Sequence, residues 1–299
     1  MSETIADPRP DVPHVAFDML VRHPRLAEAR KLYLDRFLAI YGGDPFLVRL
    51  LIESGRILVF VLALVLDAGQ DPARPETWLT VGRLKRELAM FGLASARQID
   101  HLIRRLCEVG YMSSRPAAQD RRVRILEPTE RMRAHDRDWL AAHYAPLALL
   151  CPENDYGPIL RRDPAAQMAQ RYAAVTLLPV AAQMFTTFPD MLLFLNRAGG
   201  FPVIAALLQA AMADPASPHA AVPFADVGDR FGISRTQVRN LLVEAEQAGL
   251  VKLHARGGQS VEILSRLWTS HDRGMAAGMY LHDLAYAIAT GRRRFTEAV

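Results

Sequence analysis

Cysteines, long apolar runs and a leader sequence are scarce or missing in this sequence. Its two cysteines, Cys107 and Cys151, are too few and too far apart to indicate a disulfide framework or a thiolate metal site. The apolar run from Ile57 to Leu66 has ten residues, whereas a membrane span needs about 17 to 25. No cationic start with an apolar stretch and a small-residue cleavage site follows Met1. We therefore expect a reduced, cytoplasmic protein that does not associate with membranes.

Catalytic motifs are also missing. The nine histidines are scattered without the spacing of a His-Glu-x-x-His zinc site, and neither a Gly-x-Ser-x-Gly turn nor a glycine-rich phosphate loop occurs. The tripeptide His135-Asp136-Arg137 and its counterpart His271-Asp272-Arg273 look catalytic at first sight. Because they recur at the start of two long predicted helices, we interpret them as structural, for example as an ion-paired seam. We expect no enzyme, no cofactor and no metal site.

The composition is that of a globular protein. Of 299 residues, 51% are hydrophobic and 23% are charged, which excludes disordered and fibrous classes. The net charge of +4 and the isoelectric point near 9.3 permit a polyanionic partner without requiring one. Positive charge is unevenly placed, because residues 83–133 carry 12 Lys/Arg and 6 Asp/Glu, whereas residues 226–273 carry 7 and 6.

The sequence contains one pattern twice. Identical or chemically similar residues recur at a constant offset of 139: Ser95, Gln98, Ile99, Leu102, Ile103, Gly110 and Tyr111 correspond to Ser234, Gln237, Val238, Leu241, Leu242, Gly249 and Leu250. Similar pairs continue on both sides of this segment with small drifts in the offset, as loop deletions would cause. A solenoid needs at least about three repeats of about 20 to 50 residues. We therefore predict two domain-sized units, residues 1–150 and 151–299.

Each unit has the same predicted order of elements. Hydrophobic periodicity and end signals predict helices over about 22–41, 45–66, 81–90, 95–108 and 129–150, with strands at 111–114 and 122–126. The second unit repeats this with helices over about 164–187, 189–212, from 224, from 235 and 264–290, and with strands on either side of Gly257 and Gly258. Thr80 and Ser234 are predicted helix N-caps, and Ser95 is the first residue of the helix predicted over 95–108. The expected fold class is mostly α (α+β).

Helix, tight turn, helix and a two-stranded hairpin form a winged helix-turn-helix, whose second helix enters the DNA major groove. We place these helix pairs at about 80–109 and 224–248, and the wings at about 111–127 and 250–264. In the first unit, a buried stripe beginning at Ile99 turns Arg97, His101 and Arg104 outward. Arginine suits guanine acceptors and glutamine suits the adenine edge.

The candidate DNA-binding residues follow from this arrangement. In the first unit they are Ser95, Arg97, Gln98, His101, Arg104, Arg105, Arg115, Asp120, Arg121, Arg122 and Arg124. In the second unit they are Ser234, Arg235, Thr236, Gln237, Arg239, Asn240 and Arg256. The alternative is that the helix arginines only solvate an exposed face, as most surface charges do.

The wing segment AAQDRRVRILEPT resembles the multiple-antibiotic-resistance regulator (MarR) family, which has Asp-x-Arg before a strand and Thr at the start of the dimerisation helix. The matching residues are Asp120, Arg122 and Thr129. The resemblance implies that Arg122 reaches the minor groove and that Asp120 holds the wing through an ion pair. In the second unit the wing reads HARGGQSVEIL and lacks this motif, so Arg256 is its only wing cation.

Members of that family are homodimers, so the duplicated chain resembles such a dimer fused into one polypeptide. We expect a monomeric pseudodimer that binds double-stranded DNA and represses transcription. Because the two reading helices differ, we expect its DNA site to be asymmetric. Two alternatives stay open: a two-winged-helix protein-interaction scaffold of the condensin-accessory type, and a plasmid replication initiator.

The resemblance also implies a pocket for a small-molecule effector between the dimerisation helices and the winged lobe. Met168, Met184, Phe185 and Met191 are candidates to line it, although residues of these types at helical spacing are more often core. Cys107, near two arginines, is either a redox switch or, as most buried cysteines are, a structural thiol.

Overall fold

The computed structural model of the protein describes residues 7–41, 45–51, 54–92, 95–118, 120–197, 199–214, 216–217 and 219–292. It is 68% helical with small antiparallel sheets, which confirms the expected mostly α (α+β) class. The helices are α1 (Phe17–Val21), α2 (Leu26–Tyr41), α3 (Pro45–Leu51), α4 (Ser54–Ala68), α5 (Val81–Ala89), α6 (Ala96–Glu108), α7 (Glu130–Leu150), α8 (Gly157–Leu160), α9 (Pro164–Ala174), α10 (Leu178–Thr186), α11 (Pro189–Leu195), α12 (Gly200–Ala213), α13 (Phe224–Phe231), α14 (Arg235–Gln247) and α15 (Ser265–Thr290). The strands are β1 (Met112–Pro116), β2 (Arg124–Pro128), β3 (His219–Ala220), β4 (Val251–Leu253) and β5 (Val261–Ile263).

The predicted helix starts agree closely with the structure. Thr80, Ser95, Thr129 and Ser234 each accept a hydrogen bond from a backbone N–H in the first turn of α5, α6, α7 and α14. The predicted stripe of α6 is buried along its whole length: Ile99, Leu102, Ile103 and Leu106. Gly110 and Gly249 follow α6 and α14 with φ of +73° and +69°, a conformation that favours glycine.

Several predicted boundaries were wrong. The segment predicted as one helix over 45–66 forms α3 and α4, and the segments 164–187 and 189–212 each contain two helices. The first wing strands lie one to two residues further along than predicted, so that Pro116 ends β1 instead of lying in the loop. The short helices α1 and α8 were not predicted. The residues 175–177 between α9 and α10 are largely apolar, so periodicity alone does not reveal that break, whereas the polar residues and glycines at 53–56 and 196–200 are sequence signals for the other two.

Each half contains a small antiparallel sheet that packs against a pair of short helices, α5 and α6 in the first half and α13 and α14 in the second. In the second half the strand order is β3-β5-β4, and all neighbouring strands are antiparallel. In the first half β1 pairs with β2, and Thr80 forms an isolated bridge to Ile125 on the other side of β2. The sequence predicted only two strands per unit. The third strand is two residues or a single bridge long, which is too short for an alternating pattern to identify.

The two halves pack against each other reciprocally. Helix α2 of the first half contacts α12 of the second, while α9 of the second contacts α4 of the first. Helix α1 packs against α15, and α8 packs against α7, so each half contributes a short helix to the long helix of the other. One hydrophobic cluster contains buried residues from both halves, including Phe37 and Leu207. The core is therefore shared between residues 1–150 and 151–299.

One buried and one half-buried ion pair lie between the halves, where the recurring His-Asp-Arg tripeptides led us to expect an ion-paired seam. Asp136 of α7 pairs with Arg171 of α9, and Asp272 of α15 pairs with Arg30 of α2 at 2.8 Å. Asp136 also accepts a hydrogen bond from Gln167 at 2.7 Å. The hypothesis of an ion-paired seam is confirmed by these contacts.

The chain ends meet at another buried carboxylate. Asp283 accepts hydrogen bonds from the backbone of Val15, from the hydroxyl of Tyr156 and from Arg292. Arg292 is thereby tied to this buried carboxylate, and residues 293–299 lie outside the described residues. Within the described ranges, no single helix has both the length and the apolar character of a membrane span, although residues 164–186 and 189–195, bent by 97°, pass that test as a pair.

Candidate nucleic-acid interface

The exposed face of α6 is formed by the residues that periodicity placed there. Arg97, His101 and Arg104 are exposed, and the buried stripe fixes the helix against α4 and α5. An ion pair of 2.6 Å between Lys85 and Asp100 links α5 to the first turns of α6. The helix that carries these exposed side chains is therefore fixed by its buried stripe and by the ion pair with α5.

Gln98 and Gln237 have a role that the sequence interpretation did not assign. The Gln98 side-chain oxygen accepts from the Ser95 backbone N–H at 2.8 Å, and the Ser95 hydroxyl accepts from the Gln98 backbone N–H at 3.3 Å. Ser234 and Gln237 form the same reciprocal capping box. The spacing Ser-x-x-Gln is a sequence signal for this box. Both amide oxygens are therefore engaged in helix capping.

The first wing is shaped by Asp120, but not by an ion pair. Its carboxylate accepts a hydrogen bond of 2.9 Å from the backbone N–H of Arg122, and its carbonyl accepts one of 3.0 Å from Val123. Among the described residues Asp120 forms no salt bridge, so the resemblance-based expectation of an ion pair is corrected. The turn leaves the side chains of Arg121 and Arg122 exposed at the tip.

The strands of this wing carry two further arginines. Arg115 pairs with Glu127 at 2.6 Å across the hairpin, and Arg124 donates to the carbonyl and hydroxyl of Ser114, each at 2.8 Å. These two predicted DNA contacts are therefore already engaged within the wing. Beneath it, Trp78 packs with Ala117, Val123 and Ile125 in a separate small cluster, a support that the sequence interpretation did not identify.

Among the described residues, the second unit presents a similar helix with two arginines outside ion pairs, as many as α6 has. Arg235, Thr236, Arg239 and Asn240 are exposed on α14. Glu244, which stands where the first unit has Arg105, pairs with Arg197 at 2.9 Å. Arg105 itself is held by Glu108 at 2.7 Å. Neither of these equivalent positions is an unpaired charge.

The second wing is tied to its sheet by backbone contacts. Val222 donates to the carbonyl of Gly258 at 2.7 Å. Gly258 has φ +82°, and a Cβ there would stand 2.1 Å from the Val222 carbonyl oxygen, so only glycine fits. Arg256 is exposed on this wing. On the same sheet, His219, His254 and Glu262 place one donor atom each within 4.8 Å of one another.

A cavity of about 350 Å³ lies between the two halves. Its wall is mainly aliphatic and aromatic and comes from α2, α4, α7, α9 to α12 and α15. Met184, Phe185 and Met191 line it as proposed, but Met168 does not and is 41% exposed. Two lining residues, His271 and Gln170, are buried and carry atoms without a hydrogen-bond partner: both ring nitrogens and Oε1 respectively.

Two histidines of this cavity are held uncharged by burial, and its arginine is paired. Burial lowers the pKa of His143 to about 4 and lowers that of His282 well below its ordinary value. The guanidinium of Arg171 is occupied by Asp136. An interior with neutral imidazoles and a compensated arginine favours a ligand without net charge.

Cys107 is half-buried on α6. Burial, and then the neighbouring Glu108, raise the pKa of its thiol. A raised pKa means less thiolate and lower reactivity, which favours the structural interpretation of this residue over a redox switch.

No protein family model matches the chain, and no similar curated protein or solved structure is found.

Proposed function

We propose that the protein is a sequence-specific regulator that binds double-stranded DNA through two winged-helix units in one chain, as a MarR-like pseudodimer. The observation that carries the proposal is a group of exposed arginines without acidic partners. Arg97 and Arg104 on α6 and Arg121 and Arg122 on the first wing form no ion pair among the described residues. Free guanidinium groups at a helix start and a hairpin tip are suited to base edges and phosphates.

Local charge supports this interpretation over simple solvation. Residues 83–133, which contain the first winged segment, carry 12 basic and 6 acidic residues, whereas residues 226–273 carry 7 and 6. Exposed arginines without an ion pair among the described residues also occur elsewhere, for example Arg22 and Arg36. The position of Arg97, Arg104, Arg121 and Arg122 at a helix start and a hairpin tip therefore distinguishes them.

The two units are unequal. The second unit offers Arg235, Arg239 and Arg256, without an Asp-x-Arg wing. The first unit therefore supplies most of the affinity, and the second extends the contact to an unlike half-site. Occupying such a site within a promoter represses transcription by excluding polymerase.

The proposal is tested by selecting a preferred duplex from random oligonucleotides and measuring affinity for it as a function of salt. A phosphate-binding protein loses affinity with a log-log slope of about −0.9 per phosphate neutralised. The expected site is asymmetric and promoter-proximal. A flat salt response overturns DNA binding and favours the protein-interaction scaffold, whereas direct repeats at an origin favour the replication initiator.

We extend the proposal to an effector. The cavity between the halves is large enough for a small ligand. The unpartnered atoms of His271 and Gln170 offer it hydrogen bonds that no protein group makes. An uncharged, largely apolar molecule with a polar end fits this chemistry. Because α2, α4, α9 and α12 line the cavity and also join the halves, its binding shifts the spacing of the two reading helices.

A further inference from the structure

The sheet of the second wing carries a cluster of metal-binding side chains that the DNA interface does not use. His219 of β3 stands opposite Glu262 of β5, and Leu253 of β4 stands opposite Val261. His254, which follows Leu253, donates its backbone N–H to Ser260 at 3.0 Å. Because side chains alternate between the faces of a sheet, His219, His254, Ser260 and Glu262 all project from one face.

The side chains on this face are already in contact. The rings of His219 and His254 stack with centroids 4.3 Å apart. His254 Nε2 lies 2.7 Å from Glu262 Oε2, and His219 Nδ1 lies 2.9 Å from the hydroxyl of Ser260. Engagement of Nδ1 leaves Nε2 as the free nitrogen of His219. One donor atom of each of His219, His254 and Glu262 falls within 4.8 Å of the others.

We propose that His219, His254 and Glu262 form a binding site for a divalent transition-metal ion, with Zn²⁺ as the preferred occupant. Two imidazoles and one carboxylate are the ligand set of open zinc sites, in which water completes a tetrahedron. The set is too poor in oxygen for Ca²⁺ or Mg²⁺ and lacks the thiolates of a closed structural site. This proposal differs from the expectation from the sequence that the chain binds no metal.

The geometry requires only side-chain movement. Zinc bonds of about 2.0–2.2 Å place tetrahedral ligand atoms about 3.4 Å apart, so the donors must close from separations of up to 4.8 Å. His254 is exposed, and His219 and Glu262 are half-buried, so their side chains have room to turn. The hydrogen bond between the Ser260 hydroxyl and His219 Nδ1 fixes the orientation of the His219 ring, so that Nε2 is the nitrogen available to the metal.

The charges around the cluster permit a cation. Glu262 supplies the one carboxylate of the set, and its Oε2 already lies 2.7 Å from His254 Nε2. Lys252 stands opposite Glu262 on β4 and opposes a bound cation, but it is exposed and its flexible chain can turn to solvent.

The site has a consequence that rests on the proposed function. A bound Zn²⁺ adds two positive charges to a wing whose only loop cation is Arg256. It also joins three strands of a small sheet, which stiffens the hairpin. Metal binding therefore compensates for the missing Asp-x-Arg motif and strengthens the weaker of the two DNA contacts.

The test uses tag-free, metal-stripped full-length protein titrated with Zn²⁺ in competition with a chromogenic chelator. We expect one Zn²⁺ per chain, and at least about ten-fold weaker binding in His254→Ala and in Glu262→Gln. His23→Ala is the control, since His23 lies outside the cluster, beside Arg25. Substitution of Co²⁺ for Zn²⁺ should give the visible absorption band of a four-coordinate site.

The proposal is overturned if the wild-type chain binds no Zn²⁺ at one equivalent, or if both cluster variants bind as tightly as His23→Ala. Circular dichroism verifies that the variants fold, and the wild-type stoichiometry and Co²⁺ spectrum decide the matter if they do not. These measurements need no DNA, so the metal site stands or falls separately from the regulator proposal. The DNA consequence fails if Zn²⁺ binds but leaves DNA affinity unchanged.

Discussion

Arg171 of α9 donates two hydrogen bonds from its guanidinium to the carboxylate of Asp136 on α7. Its Nε lies 3.1 Å from Oδ2 and its terminal nitrogen lies 2.5 Å from Oδ1. Both side chains are almost completely buried, at 3% and 0% exposure. Because Asp136 belongs to the first half and Arg171 to the second, this pair fixes how the halves meet. Arg30 and Asp272 make the reciprocal contact nearer the surface.

Asp136→Ala should lower the free energy of unfolding by about 3–5 kcal/mol, because it leaves the Arg171 charge buried without a partner. Asp272→Ala should cost clearly less, since water reaches Arg30 and Asp272 more easily. Urea denaturation of both variants against the wild type measures the difference. Equal losses of unfolding free energy in the two variants would show that burial does not make the Asp136–Arg171 pair more stabilising than the Arg30–Asp272 pair.

His271→Leu should leave stability unchanged or raise the free energy of unfolding by up to about 1–3 kcal/mol, because it removes buried nitrogens that have no partner. Asp272 Oδ1, at 3.6 Å from Nδ1, is beyond hydrogen-bond distance. His143→Leu is the matched control. His143 bonds the Trp139 carbonyl and the Tyr33 hydroxyl, so its loss should destabilise the protein.

Thermal unfolding of the two variants provides the comparison. The same experiment with a stabilising apolar ligand should show that His271→Leu weakens the ligand-induced shift. A His271→Leu variant that is as unstable as His143→Leu would mean that His271 has a structural role instead of a place in a ligand site.

Stability should fall as the pH drops from about 6.5 towards 4. Burial holds the pKa of folded His143 at about 4, whereas its ordinary value is 6.5. The unfolded chain therefore binds the extra proton in this window, and the contribution of His143 is complete above pH 6.5 and lost as pH falls. The loss amounts to at most about 3 kcal/mol. The lowered pKa of His282 acts in the same direction.

Urea midpoints at pH 7 and pH 5 measure this effect, and a His143→Gln variant isolates the part due to one residue. Its midpoint should change less between the two pH values than that of the wild type. His23→Gln, at the surface, should behave as the wild type does. An unchanged pH dependence in His143→Gln would place the protonation elsewhere.

Arg122→Ala should make the salt slope of DNA binding shallower by about one, because it removes one positive charge from the contact between the first wing and the DNA. In metal-free protein, Arg256→Ala on the second wing should reduce affinity less. Fluorescence anisotropy with the selected duplex at several salt concentrations gives both slopes. A larger effect of Arg256→Ala would mean that the second unit, and not the first, supplies most of the DNA affinity.

Much of the fold and of the exposed face of α6 was predictable from the sequence. The spacing of Ile99, Leu102 and Ile103 fixed which face of α6 is buried, and thereby which face carries Arg97 and Arg104. Capping serines, threonines and positive-φ glycines marked the helix ends. These features depend on residues within about four positions of each other, because helix periodicity and capping are local interactions.

The tertiary structure decided the rest. It engaged Arg115 with Glu127, gave Asp120 a backbone partner instead of an ion pair, and brought Asp136 to Arg171. It also enclosed the cavity and gathered His219 with residues more than thirty positions away on β4 and β5. These contacts join segments distant in the chain, and their energies depend on burial and on the direction of each side chain, which no local pattern specifies.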